Sequence, residues 1–392
     1  MAVTIEQEPQ DYTTSDNPVT WVFSSDQTAQ SNFYFLVDVQ VGLTSYTTVE
    51  EHRVYPESNN NAHFDASVIA ERYANIHNIE RTNFKDNTDN YNRIRLTVTE
   101  YYGTTPIAQA SANTSDVIIF KARLRKSSFE NFVYTNYTLT NSVSGKLFLT
   151  DRPRTNSVKV ATDESIFLSI INDFNSFGYE VSSYESDGTL VSNQSSSSAD
   201  VTNNIITYDV SPSKLVSDFG WSFTDVAYYE FQAKANLGGF SELFRIYIDT
   251  GCFYSQRKRL HFLNSYGVYD SFTFGLFSRE SYRVESFGYE KQYGEFNASD
   301  EYEYSLKNGT VVDYLKRTSR SLELTSDWMD QATQNWLAKE LYNSPVVYIE
   351  EGGEFYRCKV TNGSYNMKVQ ENDMLFQEVA TIQLENDLSV NV

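Results

Sequence analysis

Apolar side chains recur at every second position through much of the chain. Ile94, Leu96 and Val98 alternate with polar neighbours across 93–102, the mark of a strand with one wet face. The same reading predicts strands at Trp21–Phe23, 32–41, 116–122, 164–171, 226–233 and 244–249. The period switches to that of a helix after Phe64. Val68, Ile69, Tyr73 and Ile76 then share one face, with Asp65 as N-cap. A second start of this kind follows Tyr208. Asp209 takes the place of Asp65 and, with two residues inserted, Leu215 that of Ile69 and Phe219 that of Tyr73. Pro212 falls in the first turn, where its missing N–H is harmless.

Element order matches as well as these residues, so the chain reads as duplicated with an offset of 144 residues. The predicted fold class is mainly β: two related β-sandwich-like domains, each with a short helix, over 21–160 and 161–255. Residues 1–20 are polar and acidic, contain Pro9 and Pro18 and lack a period. They predict a flexible N-terminal arm that orders against a neighbouring subunit. The Ser- and Asn-rich stretch 192–204 predicts an exposed loop.

The last third, 256–392, reads as a separate β unit. Two apolar runs flank a glycine turn at 259–274. A long hairpin over 281–325 follows, with Asn308–Gly309 as a type I′ turn signal. The best helix of the chain covers 326–343, with Asp327 in its first turn and Pro345 beyond its end. Met329, Ala332, Trp336, Leu337 and Leu341 form its apolar stripe. Strands at 346–349, 354–360 and 378–384 close the chain.

Composition adds interfaces to this picture. Aromatics make up 15% of the chain, with 29 Tyr and 26 Phe. Tyr buries a ring while keeping a polar tip, which suits contact surfaces. The net charge of −21 repels nucleic acid in bulk. The opening residues hold neither a basic nor an apolar segment, and no run of about 18 apolar residues occurs. The expectation is a protein made in the cytoplasm, without membrane insertion.

Chemistry is not evident. No nucleophile elbow, phosphate-binding loop or dinucleotide fingerprint occurs. His52, His63, His77 and His261 are scattered, and Cys252 and Cys358 fit no zinc or redox spacing. Whether these two cysteines pair stays open. Acid pairs such as Glu350/Glu351 and Asp300/Glu301 read as surface carboxylates. His261 reads as a packed or interface histidine, and Asp270 as a turn-stabilising acid. The expectation is no enzyme, with no catalytic residue, cofactor or metal.

Two basic clusters stand out against the acidic background: Arg123, Arg125 and Lys126, and Arg257, Lys258 and Arg259. They suit either acidic patches on a neighbouring subunit or the guarding of a sheet edge against aggregation. Together with Tyr302, Tyr304 and Tyr314 of the long hairpin they form the predicted interface set.

The run from Leu260 to Phe274 resembles a segment of virion proteins from phages of Bacteroidetes-type hosts, including crAss-like phages. Its pattern there is hydrophobic-Leu-Asn-x-x-Gly-x-aromatic/Asp-x-Phe-x-Phe. The stretch from Asn17 to Phe35 and the helix start at Phe64 to Ser67 are similar to the same group, and the likeness spans much of 15–290. Where those proteins carry Gly-Gly at the turn, this chain has Gly267 and Val268. The resemblance implies a structural role: a homo-oligomeric ring, hub or adaptor in the tail or neck of a tailed phage. Its partners would be further copies and other tail or neck proteins, and it would reside in the virion. DNA would at most pass along an acidic wall without specific binding. By analogy, the last third resembles tail-tube or hub units, in which hairpins of adjacent subunits join into one barrel. The residues alone also allow a glycan- or receptor-binding β-module of a fibre or adhesin.

Overall fold

Strands carry almost all of the regular structure. The computed structural model describes residues 3–76, 79, 84–86, 91–154, 158–172, 177–198, 205–235, 238–250, 257–304, 309–361 and 375–391. The chain divides into two compact units, one of Met1–Thr250 with Phe262–Ser271 and the other of Gly251–His261 with Phe272–Val392.

The first unit contains two domains of one topology. Domain 1 holds β1 (Thr4–Gln7), β2 (Tyr12–Thr14), β3 (Thr20–Ser24), β4 (Tyr34–Val41), β5 (Thr47–Val54), β6 (Asn61–Asp65), α1 (Ser67–Tyr73), β7 (Phe84–Asp86), β8 (Tyr91–Tyr102), β9 (Ile107–Asn113), β10 (Val117–Phe120) and α2 (Lys126–Glu130). Domain 2 holds β11 (Thr138–Leu139), β12 (Lys159–Val160), β13 (Phe167–Asn172), β14 (Phe177–Tyr184), β15 (Leu190–Ser198), β16 (Ile205–Asp209), α3 (Pro212–Phe219), β17 (Tyr228–Ala235) and β18 (Phe244–Ile248). The small sheets run β1-β3-β6 and β11-β13-β16, and the large sheets β2-β10-β8-β4-β5 and β12-β18-β17-β14-β15. Along these paths the two orders match; β9 pairs with β8 beside the first large path, and β7 adds a fourth strand to the second small sheet. In each large sheet the first strand lies parallel to the second, β2 to β10 and β12 to β18. The small sheets also differ in direction, since β1 is antiparallel to β3 whereas β11 is parallel to β13.

Alternation explains these sheets. Successive residues of β4 and β17 switch between buried and half-buried, as period-two side chains on a one-sided sheet must. Trp21, Phe35, Val37, Leu96 and Ile69 belong to one core, and Phe148, Ile170, Tyr208, Phe231 and Leu215 to the other. Tyr73 packs on the first core and Phe219 on the second, each half-buried.

A third cluster ties the two domains together. It combines Tyr12, Phe120 and Phe132 with Leu149, Ile171 and Ile205, and adds Tyr266 and Val268 from the glycine turn. In addition β7, from the stretch between α1 and β8, pairs antiparallel with β16 and so becomes an edge strand of the other domain's small sheet. Asn264 holds the glycine turn. Its Oδ1 accepts from the backbone N–H of Tyr266 (3.0 Å) and Val268 (3.2 Å), and its Nδ2 donates to Leu149 O (2.9 Å) and Asp270 Oδ2 (3.1 Å). Asp270 also accepts from Thr150 Oγ1 at 2.8 Å. Gly267 has φ +74°, and a Cβ there would lie 1.9 Å from Lys121 O. Only glycine fits this close approach.

The second unit is built on a seven-stranded sheet, of whose strands β19 ends and β20 begins within the segment 262–271 that counts with the first unit. It contains β19 (Lys258–Leu263), β20 (Tyr269–Phe274), β21 (Phe277–Glu290), the short β22 (Glu295–Phe296) and β23 (Tyr302–Glu303), β24 (Val311–Thr325), α4 (Gln331–Glu340), β25 (Val347–Glu351), β26 (Glu354–Val360) and β27 (Val379–Asn391). The order is β20-β19-β25-β26-β27-β24-β21, and β22 and β23 pair separately. Arg320 on β24 donates to Glu351, at the end of β25, at 3.1 and 3.2 Å. In a flat sheet three strand spacings would hold β24 and β25 about 14 Å apart. The ion pair therefore marks a sheet that curls strongly. Lys258 joins Glu351 from β19, and Glu280 joins Arg320 from β21.

Several expectations are corrected. Residues 3–20 are not an arm: β1 and β2 sit in the two sheets of domain 1, and Val3, Tyr12, Thr14 and Ser15 are buried. Pairing at a sheet edge orders them without any hydrophobic period. The domains meet before residue 138 rather than at 160, because β11, Phe148, Val158 and β12 belong to the second core and sheets. Residues 190–198 form β15, an outer strand that pairs along β14 through backbone groups; residues 199–204 lie outside the described residues. Asp65 is not the N-cap, a position held by Ala66, and Val68 is exposed. The C-terminal helix begins later than predicted, with Asp330 as N-cap accepting from Thr333 N at 2.8 Å. Its buried stripe is Thr333, Trp336, Leu337 and Leu341, while Ala332 is exposed and Met329 lies in a bridge to Phe376. Cys358 is buried; Cys252 and Asn308 lie outside the described residues.

Candidate assembly surface on the C-terminal hairpin

The long hairpin is built by register. β21 and β24 pair antiparallel from Phe277↔Thr325 to Glu290↔Val311, 14 residues against 15. The extra residue is Tyr314, at a bulge where Phe287 faces Leu315 and Gly288 faces Asp313. At Gly288 a Cβ would lie 2.8 Å from Asp313 Oδ1 and 3.0 Å from Val312 O, so the two strands approach closely at the bulge. At its base the hairpin is anchored by Leu322 and Leu324, both buried. Further out both faces of β21 are exposed from Ser281 to Glu290. Among the described residues β21 is also the last strand of its sheet. An exposed strand of this length, open along one edge, offers unpaired backbone groups to another chain.

Beyond the stem, a small second hairpin forms the tip. Asn297 organises it, accepting on Oδ1 from Ser299 N (2.9 Å) and Glu301 N (3.0 Å) and donating from Nδ2 to Glu303 Oε1 (2.6 Å). Asp300 takes φ +61° in the turn. Four rings gather there. Tyr293 stacks on Tyr304 at 5.4 Å, and Tyr302 meets Phe296 at 5.1 Å and Tyr304 at 5.3 Å, both edge-on. Tyr302 donates its hydroxyl to Tyr293 O at 2.8 Å, while Phe296 and Tyr304 stay 69% and 67% exposed. Gly294, at φ +100°, lets Tyr302 approach: a Cβ would lie 2.7 Å from its Cε1.

The stem carries mixed charge. Arg283 pairs with Glu285 at 3.1 Å, Lys316 with Asp313 at 3.3 Å, and Arg317 lies 5.5 Å from the centre of the Phe287 ring. Arg283, Arg317 and Lys359 surround a groove of about 330 Å³ floored in part by Ser319 and Gln383. Nearer the base, hydrogen bonds from Tyr282 and Arg320 hold Glu280 below the ordinary carboxylate range.

The predicted interface set is only partly brought together. Tyr302 and Tyr304 share the tip cluster, and Tyr314 is exposed at the bulge. Arg123, Arg125 and Lys126 are exposed at the start of α2 in the first unit. Two members of the other cluster are corrected. Arg259 is 1% exposed and donates to Thr273 Oγ1 at 2.7 Å, and Lys258 is ion-paired with Glu351. Both face partners on neighbouring strands of their own sheet and are closed to a second chain. Arg257, just before β19, is half-buried. His261 is buried with Nε2 2.9 Å from Glu350, a packed histidine, and with it Glu350 is no surface carboxylate.

Sequence reasoning missed Tyr293 and Phe296. Their signal is the turn-forming run Asn297 to Asp300 between two aromatic pairs. It also missed Arg283, Arg317 and Lys359, which only strand register joins: Glu285 faces Arg317, and Lys359 faces Gln383. Among the described residues no helix is long and apolar enough to cross a membrane, and no group of three or more His, Cys, Asp or Glu is placed to hold a metal ion. No protein-family model matches this chain, and no curated protein does.

Proposed function

We propose that this chain is a structural protein of a tailed-phage virion that self-associates through its C-terminal hairpin into a ring of the tail or neck. One observation carries the self-association: a stem of 14 and 15 residues whose β21 is exposed on both faces from Ser281 to Glu290 and, among the described residues, open along one edge, and which ends in four clustered rings. Such a projection gains little for the fold of one copy, because its outer half buries no core. Contact with a neighbour covers its edge and its rings. The placement in a virion rests on the likeness of the Leu260–Phe274 segment to phage virion proteins. The charge of −21 fits a wall along which DNA passes without sticking.

Peptide mass spectrometry of gradient-purified particles tests the placement. The account expects this chain in particles at a constant copy number. Abundance in the lysate with absence from particles contradicts it.

A second reading, a glycan- or receptor-binding module, is favoured by the exposed rings of Phe296 and Tyr304 beside Asn297 and Glu303. Rings stack on sugar faces while amides and carboxylates bind hydroxyls. A glycan array and a host-cell binding assay with no signal remove this reading.

A further inference from the structure

Tip and groove of the same hairpin are electrostatic opposites. Among the described residues the groove sets Arg283, Arg317 and Lys359 against the single carboxylate of Glu285. All three cations are exposed. Lys359 has no ion-pair partner among the described residues, and Arg283 reaches only the exposed Glu285 on the same strand. The tip presents Glu295, Asp300, Glu301 and Glu303, all exposed, around the rings of Phe296 and Tyr304. In a chain of net charge −21 a cationic groove is scarce, and it is where an acidic tip gains most. Rings entering beside guanidinium groups add cation–π attraction.

We propose that the hairpin tip of one copy docks into the Arg283–Arg317–Lys359 groove of a second copy. This rests on the self-association reading above and deepens it by naming the contact. Each copy offers one tip, at the end of the hairpin, and one groove, between the hairpin stem and β26 and β27, so the contact is heterologous. Repetition then closes a ring when the rotation per copy permits, or runs on as a filament. Nucleic acid is the other ligand class for a cationic groove, and the charge of the whole chain disfavours it.

The test is a pair of charge reversals followed by sedimentation and light scattering over a range of concentration and salt. The groove variant is Arg283→Glu with Lys359→Glu, and the tip variant Glu301→Lys with Glu303→Lys. Glu303→Gln keeps an acceptor for Asn297 and separates loss of the tip's charge from loss of its turn; thermal unfolding checks that every variant folds. Each reversed chain alone is expected to associate at least about tenfold more weakly than wild type, and an equimolar mixture to recover to within about threefold. The recovery arises because the acidic tip of one variant meets the cationic groove of the other, and the lysine tip meets the glutamate groove. Wild-type assembly with both variants unimpaired overturns this contact and leaves the self-association reading standing. A groove variant that keeps its mass but loses binding to a short DNA duplex makes the groove a nucleic-acid site and also overturns it. A wild-type chain that stays monomeric removes both readings.

Discussion

Asp65 and Asp209 hold the same station in the two domains of the first unit. Each ends a strand, precedes a helix and accepts on Oδ1 from the backbone N–H two residues on, Ser67 at 2.9 Å and Ser211 at 3.1 Å. Each turns the chain from strand into helix. Asp65 also accepts from Val19 N at 3.0 Å, and Asp209 from the Ser211 hydroxyl. Neither is the formal N-cap, yet both take up a backbone donor at the strand–helix turn.

Replacing either by Ala strands those donors. Asp209 is buried, so Asp209→Ala is expected to cost about 2 kcal/mol, and the exposed Asp65→Ala about 1 kcal/mol. Urea denaturation followed by Trp fluorescence measures both. A smaller loss at Asp209 than at Asp65 speaks against the shared role.

Asn264 and Gly267 make the second prediction. Asn264→Ala leaves the buried N–H groups of Tyr266 and Val268 and the carbonyl of Leu149 without their partner, at an expected cost of about 2–4 kcal/mol. Gly267→Ala drives a methyl into Lys121 O and should cost at least about 2 kcal/mol. Losses below about 1 kcal/mol for both, measured by the same denaturation, would show that this turn does not pin the two domains.

The ion network at the hairpin base gives a pH dependence. Burial pushes the Glu351 carboxyl up, but hydrogen bonds from Arg320 and Lys258 outweigh it and hold the pKa below the ordinary value of 4.5. A lowered folded pKa contributes stability above the unfolded value, and that stability is lost as pH falls through the folded pKa. The second unit should therefore weaken on acidification below about pH 4.5. Glu351→Gln should lower stability near neutral pH by about 1 kcal/mol and flatten the acid limb. Thermal unfolding at a series of pH values decides this; an unchanged acid limb in the variant points to other carboxylates.

The strands that face a core were legible because their residues alternate. In β8, Ile94, Leu96 and Val98 are all fully buried, as the period-two pattern requires. The helix pair was legible too: Ile69 and Leu215 are buried at matched positions. Outer strands escaped. β5 has no buried residue, with only Val49 and Val54 packing partly on the first core, and β15 is largely Ser, so backbone pairing holds most of both strands and leaves little hydrophobic trace. β2 escaped for a related reason, since its parallel partner β10 is more than a hundred residues away in sequence. In the candidate site, Tyr302 and Tyr304 were found by composition. The groove was not, because Arg283, Arg317 and Lys359 lie on three strands that only register aligns.

Self-association through the hairpin is the central claim, and the mass of the protein in solution tests it most directly. The full chain is the right material, because removing residues 1–20 strips β1 and β2 from their sheets. It is compared with a variant in which residues 291–310 are replaced by Asn-Gly, a turn that suits the facing pair Glu290 and Val311. Light scattering across concentration is expected to show a defined multimer for the full chain and its loss in the shortened one. A full chain that stays monomeric at every concentration, or a shortened chain with the same multimer, contradicts the account.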